Sequence, residues 1–278
     1  MKHKNNNLKK EELDNVLSLI KHKIFVFSGK GGVGKSTIAS NLAAGLAQRG
    51  YKTGILDIDI HGPSIPKLFN IEDVQLKIEN NQIQPIEVLK NLKAISIGSL
   101  INSTETPIIW RGPRKVGVIK QFIKDVNWGK LDYLIVDSPP GTGDEPLTIC
   151  QLIPDADGAV IVTTPQDLAI IDVKKAITFC REVDINIIGV IENMSGFKCP
   201  NCGTESHILK SNGGQKMAES MKVPFLGKIP IEMSIAQSGD DGIPYICNNE
   251  SLKPSLEIFN KIIDKIDNTN QQTDNQLK

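Results

Sequence analysis

The sequence lacks an excess of charge of either sign. Lysine and arginine together number 32 among the 278 residues, aspartate and glutamate also number 32, and the formal net charge is therefore zero. Proteins that bind nucleic acid through its phosphates usually carry a basic surface, and no strongly basic segment stands out here. We therefore expect no nucleic-acid partner, and any partner must be recognised by a local site.

Long hydrophobic runs are also missing. Residues 1–10 are polar and basic, without the apolar stretch of a secretion signal. Nowhere does the chain approach the roughly 18 consecutive apolar residues of a membrane span. The sequence therefore predicts a cytoplasmic protein with no membrane partner.

Cysteine is scarce, with five residues in the chain. Because their number is odd and no secretion signal precedes them, we expect reduced thiols or metal ligands rather than disulfides. Cys150 and Cys180 lie in apolar helical segments and should belong to the core, and no role is assigned to Cys247. Only Cys199 and Cys202 are closely spaced.

Short apolar runs alternate with longer helical patterns along most of the chain. This order predicts an α/β fold, in which a mostly parallel central sheet carries helices on both faces. We expect one domain at 22–266, preceded by a polar segment with a short helix at 1–21 and followed by a disordered polar tail at 267–278. The predicted strands are 24–27, 53–56, 92–97, 133–136, 159–162 and 187–191, and the predicted helices are 11–20, 35–49, 114–125, 167–182, 209–221 and 252–266.

A glycine-rich loop joins the first predicted strand to a helix, with the spacing G-x-x-x-x-G-K-[ST]. Its glycines let backbone N–H groups close around a phosphate, Lys35 neutralises phosphate charge, and the Ser36 hydroxyl is offered to Mg²⁺. The loop therefore predicts a P-loop that binds ATP. Its predicted ATP-binding residues are Gly29, Lys30, Gly31, Gly32, Val33, Gly34, Lys35, Ser36 and Thr37.

Acidic residues end two other predicted strands. Asp57 and Asp59 lie at the end of the second strand, the edge at which ligands bind in open α/β sheets. Asp137 ends an apolar strand in the form of a Walker B segment and is available to hold the water shell of Mg²⁺. Residues 138–144, Ser-Pro-Pro-Gly-Thr-Gly-Asp, suit a switch loop that changes shape with the γ-phosphate.

Cys199 and Cys202 form a C-x-x-C knuckle, whose spacing lets two thiolates face one metal. Zinc and iron-sulfur sites usually need four protein ligands, and the sequence has no second pair of this kind. Two chains related by a two-fold axis would supply four thiolates. That arrangement fits either a bridging [4Fe-4S] cluster or a Cys₄ zinc site.

The glycine loop resembles the deviant Walker A motif of the class that includes nitrogenase iron protein, the MinD and ParA partition ATPases and the Mrp-type iron-sulfur carriers. This resemblance implies that Lys30 reaches across a homodimer to the partner's nucleotide. It also implies that Asp57 lies in the outer shell of Mg²⁺, that Asp59 orients the attacking water, that Asn193 contacts adenine and that Pro230 packs on the base. The predicted catalytic residues are thus Lys30, Lys35 and Asp59.

Within this class, the motifs and their order resemble the Mrp family of iron-sulfur carrier ATPases. The resemblance rests on the glycine loop and on residues 57–66, 110–113, 137–144 and 199–203, and it covers roughly residues 22–262. It implies a homodimer that receives a labile [4Fe-4S] cluster from a donor, binds it between paired knuckles and passes it to apo-proteins. Slow, regulatory ATP hydrolysis would control the exchange.

Other functions stay open at this point. A MinD- or ParA-like partition or positioning ATPase would share the loop and the acidic motifs, but it leaves the knuckle unexplained. Membrane-binding members also end in a basic amphipathic helix, whereas residues 252–266 mix acidic and basic side chains. An ATPase with a structural Cys₄ zinc at its dimer interface accounts for both features. A nitrogenase-like reductase is less favoured, because such reductases take their two cluster cysteines from separate loops.

Overall fold

A computed structural model describes residues 13–101, 112–199, 201–248 and 254–276 of the chain. Twelve strands and ten α-helices lie in these ranges, together with a 3₁₀ turn at Tyr245–Cys247. The strands are β1 Ile20–Ser28, β2 Thr53–Asp57, β3 Lys77–Glu79, β4 Gln82–Gln84, β5 Ile86–Leu89, β6 Leu92–Ser96, β7 Leu131–Asp137, β8 Gly158–Thr163, β9 Ile187–Glu192, β10 Phe197–Lys198, β11 Glu205–Ser206 and β12 Phe225–Lys228. The helices are α1 13–18, α2 Lys35–Gln48, α3 Ile65–Leu68, α4 Ile97–Ile101, α5 Gly112–Asp125, α6 Asp144–Leu152, α7 Asp167–Glu182, α8 Gly213–Met221, α9 Met233–Asp240 and α10 Pro254–Gln276.

Eight strands form the central sheet, in the order β12-β9-β8-β1-β7-β2-β6-β5. Every neighbouring pair is parallel except β5 and β6, which are antiparallel. The predicted fold class, an α/β fold with a mostly parallel central sheet, is confirmed. Two short antiparallel pairs, β3 with β4 and β10 with β11, lie outside this sheet.

Side chains of the central strands alternate between two buried layers, because successive residues of a strand point to opposite faces. Phe25 and Phe27 of β1 belong to the layer that includes residues of α5, α7 and α8. Ile24 and Val26 of the same strand belong to the other layer, which includes residues of α2 and α10. Burial on both faces explains why the strands were visible as nearly continuous apolar runs.

The parallel register brings three strand ends together at one edge of the sheet. Asp57 of β2 is the register partner of Asp137 of β7, and Asp137 is also the partner of Val26 in β1. Ser28, two residues after Val26, ends β1 and leads directly into the glycine loop. The predicted phosphate loop and the predicted acidic residues therefore share this edge.

The carboxy-terminal segment differs from the prediction of a helix at 252–266 and a disordered tail at 267–278. Helix α10 continues to Gln276, and only 277–278 of that tail lie outside the described residues. Asp267 accepts hydrogen bonds from the hydroxyls of Tyr51 at 2.9 Å and Tyr133 at 2.6 Å, and Asn270 is buried. Polar composition indicated disorder here because it does not reveal that Asp267 has hydrogen-bond partners in the rest of the fold.

Several smaller elements were not predicted, among them β12 and the helices α6 and α9. The helix predicted at 209–221 begins later, at Gly213. None of the described helices is long and apolar enough to cross a membrane.

Candidate nucleotide site and cysteine knuckle

The glycine loop leaves β1 and enters α2 through two glycines in the left-handed region. Gly32 has a φ of 77° and Gly34 a φ of 84°, a backbone conformation that other residues adopt at a cost. A Cβ on Gly34 would also overlap the side-chain amide of Asn193. Backbone N–H groups at a helix N-terminus form an anion site, so this conformation suits a phosphate.

Lys35 lies at the start of α2 and is buried, with a side chain that is 6% exposed. Its Nζ is 2.5 Å from Oδ1 of Asp137 and 3.4 Å from the Ser36 hydroxyl. The two residues are 102 positions apart in the chain and meet because β1 and β7 are neighbours. The ion pair places a cation directly behind the phosphate loop.

Asp57 and Asp137 are completely buried side by side at the ends of β2 and β7. Burial, and then the nearby charge of Asp137, raise the pKa of Asp57 to about 7. Asp57 accepts hydrogen bonds from the Ser96 hydroxyl at 2.9 Å and from the backbone N–H groups of Asp59 at 3.0 Å and Ile65 at 3.3 Å. Burial also raises the pKa of Asp137, against the opposing effect of Lys35.

The second oxygen of Asp137, Oδ2, is buried and has no hydrogen-bond partner within the part of the chain that the structure describes. A buried polar atom of this kind normally has a partner, such as a water or an ion. Mg²⁺ takes oxygen ligands and keeps several of its waters, and the Ser36 hydroxyl and the Asp57 carboxylate lie nearby in the same cluster. The residues present therefore fit a hydrated magnesium ion.

Asp59 follows β2 and lines the cleft, and its side chain shapes its own loop. Its Oδ1 accepts the backbone N–H groups of His61 and Gly62, both at 3.1 Å. The carboxylate is thus held against the turn that follows β2. This local role was not predicted from the motif.

A cleft of about 940 Å³ opens in front of the glycine loop, near the upper end of the roughly 300–1,000 Å³ that small-molecule sites usually occupy. All the loop residues except Gly29 and Val33 line it, together with Asp59, Asn193 and Pro230. Gly29 packs on the backbone of Asp172, and the Val33 carbonyl accepts a 2.9 Å hydrogen bond from the Asn193 amide. The cleft also has lining residues that the sequence did not indicate, including Glu232, Ile235, Ala236, Gly239 and Asp240 from α9 and the residue before it.

The cysteine knuckle is a separate feature, at the turn between β10 and β11. The Cys199 N–H donates to the Thr204 carbonyl, and the Gly203 N–H donates to the Cys199 carbonyl, both at 2.9 Å. Gly203 has a φ of 72°, which permits the tight turn. Pro200 lies outside the described residues.

The two cysteines of the knuckle differ in exposure, with Cys202 exposed and Cys199 half-buried. Hydrogen bonds from the Thr204 side chain, then its backbone, then the Cys199 thiol lower the pKa of Cys202, which favours the thiolate that binds metal. In the described ranges, no three His, Cys, Asp or Glu side chains are grouped as a metal site. Among the described residues, the knuckle is therefore a pair of thiols without further ligands.

Backbone hydrogen bonds connect the knuckle to the cleft. The Ser195 N–H donates to the Ile229 carbonyl at 2.9 Å, and the Ile231 N–H donates to the Gly196 carbonyl at 2.8 Å. The residues on either side of Pro230, which lines the cleft, are thus bonded to the segment that leads into Cys199. The cleft and the knuckle are therefore joined by main-chain hydrogen bonds.

The remaining sequence predictions concern other cysteines and one motif. Cys150 and Cys180 are buried as predicted, and burial raises the pKa of each to about 12. Cys247 is half-buried, and burial raises its pKa to about 11. Residues 110 and 111 of the motif at 110–113 lie outside the described residues.

Several known proteins share this combination of fold and motifs. The family model described as NUBPL iron-transfer P-loop NTPase, of the ParA group, matches residues 19–267. An iron-sulfur cluster carrier protein from Methanocaldococcus jannaschii is 49% identical over 252 residues, which cover 90% of this chain and 87% of that protein. A protein of the same name from Saccharolobus solfataricus is 48% identical over 247 residues, which cover 89% of this chain and 83% of its own.

Solved structures agree with the sequence relatives. A nucleotide-binding protein from Archaeoglobus fulgidus, determined in complex with ADP, is 37% identical, with a TM-score of 0.76 and coverage of 90% of this chain and 96% of its own. The cell division ATPase MinD from Pyrococcus furiosus, at 20% identity and a TM-score of 0.63 over 89% of this chain and 99% of its own, shares the fold. The resemblance predicted from the motifs is confirmed, and the chain belongs to the family of iron-transfer P-loop NTPases.

Proposed function

We propose that the protein is a homodimeric ATPase of the cytoplasm that carries a [4Fe-4S] cluster and passes it to apo-proteins. The observation that carries this proposal is that backbone hydrogen bonds connect a nucleotide cleft to a pair of cysteines at the surface. The described residues of one chain supply no further ligand beside this pair, so its set of metal ligands is incomplete. Relatives that are 44% to 49% identical are named iron-sulfur cluster carrier proteins, which supports iron-sulfur cargo.

The cargo site is argued from the number of ligands. Cys199 and Cys202 supply two thiolates, and a [4Fe-4S] cluster is usually held by four. Two knuckles that meet across a two-fold axis supply all four. Because both thiols are accessible at the surface of a short turn, a cluster held there would be open to transfer.

Exposed apolar side chains support a second copy as the partner. Leu168 is 74% exposed, Ile171 54% and Ile208 62%, and we call these three residues the apolar rim. The rim lies between the two sites: the Asp172 backbone packs on Gly29, and Lys210 forms an ion pair with Asp167 at the start of α7. A dimer that joins the two knuckles would cover it.

Nucleotide binding would change the partners of two buried groups. A phosphate in the glycine loop competes with Asp137 for Lys35, and Asp137 is then free to hold a magnesium-bound water. Ser36, Asp57 and Asp137 would hold the ion, which supplies charge neutralisation for the phosphates.

Asp59, which lines the cleft, would orient the attacking water, and Asn193 and Pro230 would contact the base. Lys30 would reach the partner's nucleotide, so that hydrolysis depends on the dimer. Hydrolysis would be slow and would regulate the exchange of the cluster.

The test is anaerobic reconstitution of the purified protein with iron and sulfide. We expect about four irons and four sulfides per dimer, with the visible absorption of a [4Fe-4S] cluster. Cys199→Ser and Cys202→Ser should each abolish the cluster and leave ATP binding intact, whereas Cys247→Ser should keep both. Tightly held zinc without a cluster would instead establish an ATPase with a structural Cys₄ site, and a cluster retained in both knuckle variants would refute the bridging arrangement.

A further inference from the structure

The knuckle lies on a segment of the chain outside the central sheet, which we call the knuckle excursion. Both ends of this segment are hydrogen-bonded to one buried side chain. Residues 193–212 leave the sheet at the end of β9, form the knuckle and return to the start of α8. Glu192, the last residue of β9, is completely buried. Its carboxylate is bonded to both ends of the excursion.

On the outgoing side, the Ser195 hydroxyl donates to Oε1 of Glu192. On the returning side, the Asn212 N–H donates to the same oxygen at 3.0 Å, and the Gly214 N–H donates to Oε2. The Asn212 side chain is held in turn by Lys228, the register partner of Glu192 in β12. One carboxylate thus accepts three donors and fixes the separation of the two chain segments that support the knuckle.

Glu192 is also connected to the nucleotide cleft, through its own main chain and through the residue that follows it. Its carbonyl accepts the Ile229 N–H at 2.9 Å, next to Pro230. Asn193, which follows it, donates its side-chain amide to Val33 in the glycine loop. A displacement of Asn193 or of residues 229–231 therefore acts on the main chain of Glu192. Because the Glu192 carboxylate holds both ends of the knuckle excursion, the displacement also acts on the knuckle.

We propose that Glu192 is a positioning residue that links the nucleotide cleft to the knuckle, so that ATP affinity and cluster affinity depend on each other through its three hydrogen bonds. This inference rests on the proposed function, because it concerns the regulation of the same cluster site. A carboxylate that only caps α8 would contribute to stability and to nothing else. A carboxylate that links the sites also determines how strongly one ligand changes the affinity for the other, and that effect is reciprocal.

The experiment measures the dissociation constant of a non-hydrolysable ATP analogue for the apo-protein and for the protein loaded with cluster. The ratio of the two constants is the coupling factor, which in allosteric proteins is roughly 5-fold to 150-fold. In Glu192→Gln the side-chain amide keeps one acceptor oxygen and places an NH₂ against a backbone donor, so we expect the ratio to fall towards one. Iron and sulfide content and the affinity of the apo-protein for the analogue should stay close to those of the wild type.

Two further variants make the result specific. Ser195→Ala removes only the outgoing hydrogen bond and should reduce the ratio partly, which keeps the test informative if Glu192→Gln folds poorly. Glu219→Gln makes the same chemical change at an exposed position of α8 and should keep the wild-type ratio. If the wild type couples the two ligands and both Glu192→Gln and Ser195→Ala keep the full ratio, the linking role is refuted while the carrier function stands. A wild-type ratio of one refutes both the linking role and nucleotide control of the cluster.

Discussion

The nucleotide cleft and the cysteine knuckle are built in opposite ways. The cleft stands on the ends of buried strands, and its acidic residues are fixed by hydrogen bonds from separate parts of the chain. The knuckle lies between two strands of two residues each, with one cysteine exposed and the other half-buried. The difference shows that the cleft is preorganised within one chain. The knuckle brings only two cysteines together in the described residues, and under the proposed function a second chain supplies its remaining ligands.

The largest effect on this comparison should come from breaking the cleft alone. In Gly34→Ala, the new side chain meets both a left-handed backbone and the Asn193 amide, and such strain amounts to about 1–3 kcal/mol. We expect ATP affinity measured by calorimetry to fall about 5-fold to 150-fold, since each 1.4 kcal/mol is a factor of ten. Reconstituted iron content should be unaffected.

A matched control is Gly117→Ala, a change at an exposed position of α5 where a Cβ meets nothing within 4 Å. It should leave ATP affinity unchanged. If Gly34→Ala binds ATP as tightly as the wild type, the described loop conformation is not the one that binds phosphate.

The second prediction concerns the proposed contact between Lys30 and the partner's nucleotide. Lys30→Ala should bind nucleotide in the monomer but lose nucleotide-dependent dimerisation, because the proposed contact across the dimer is gone. Sedimentation with and without a non-hydrolysable ATP analogue measures this. Lys216→Ala, at an exposed position of α8, is the control. A Lys30→Ala protein that dimerises and hydrolyses ATP normally would contradict the proposal.

A smaller effect is expected from the apolar rim. Burying a large aliphatic side chain contributes about 1.5–3 kcal/mol. Leu168→Ala should therefore weaken dimerisation about 10-fold, with no loss of monomer stability, because this side chain is exposed in the single chain. Ile78→Ala removes a similarly exposed residue from the β3 hairpin, and it should leave the dimer constant as it is. Equal dimer constants for Leu168→Ala and the wild type would place the interface elsewhere.

The last prediction concerns the pH dependence of stability at the cleft. Asp57 has its pKa raised from 3.8 to about 7, so between these values the folded protein binds more protons than the unfolded chain. Its contribution to the free energy of unfolding is thus fully present below about pH 4 and is lost as the pH rises through about 7. The urea midpoint of the nucleotide-free wild type should fall between pH 5 and pH 8. In Asp57→Asn we expect this fall to be smaller. Asp73→Asn, an exposed control, should retain the wild-type slope, and an identical slope in Asp57→Asn would show that another group is responsible.

Much of the cleft was predictable because its residues belong to local patterns. Gly32 and Gly34 lie in a fixed spacing between a strand and a helix, and Asp57 and Asp137 end apolar strands whose parallel ends meet at one edge. The helices on both faces followed from the apolar runs. These features depend on residues close in the chain or on the general geometry of parallel sheets.

The rest depends on polar contacts between distant residues, which leave no periodic pattern. The carboxylate of Glu192 meets its donors in Asn212 and Gly214 about twenty residues later, and nothing in the surrounding sequence indicates the pairing. The contribution of α9 to the cleft and the extension of α10 past Asp267 were missed for the same reason.

The contact between α10 and the sheet has a practical consequence for anyone who shortens the chain. Tyr51 precedes β2 and Tyr133 lies near the start of β7, and both hydroxyls donate to Asp267. The opposite ends of these strands carry Asp57 and Asp137. A crystallisation variant that ends at residue 266 would therefore remove this contact with both acidic strands and disturb the proposed magnesium site from the far edge of the sheet.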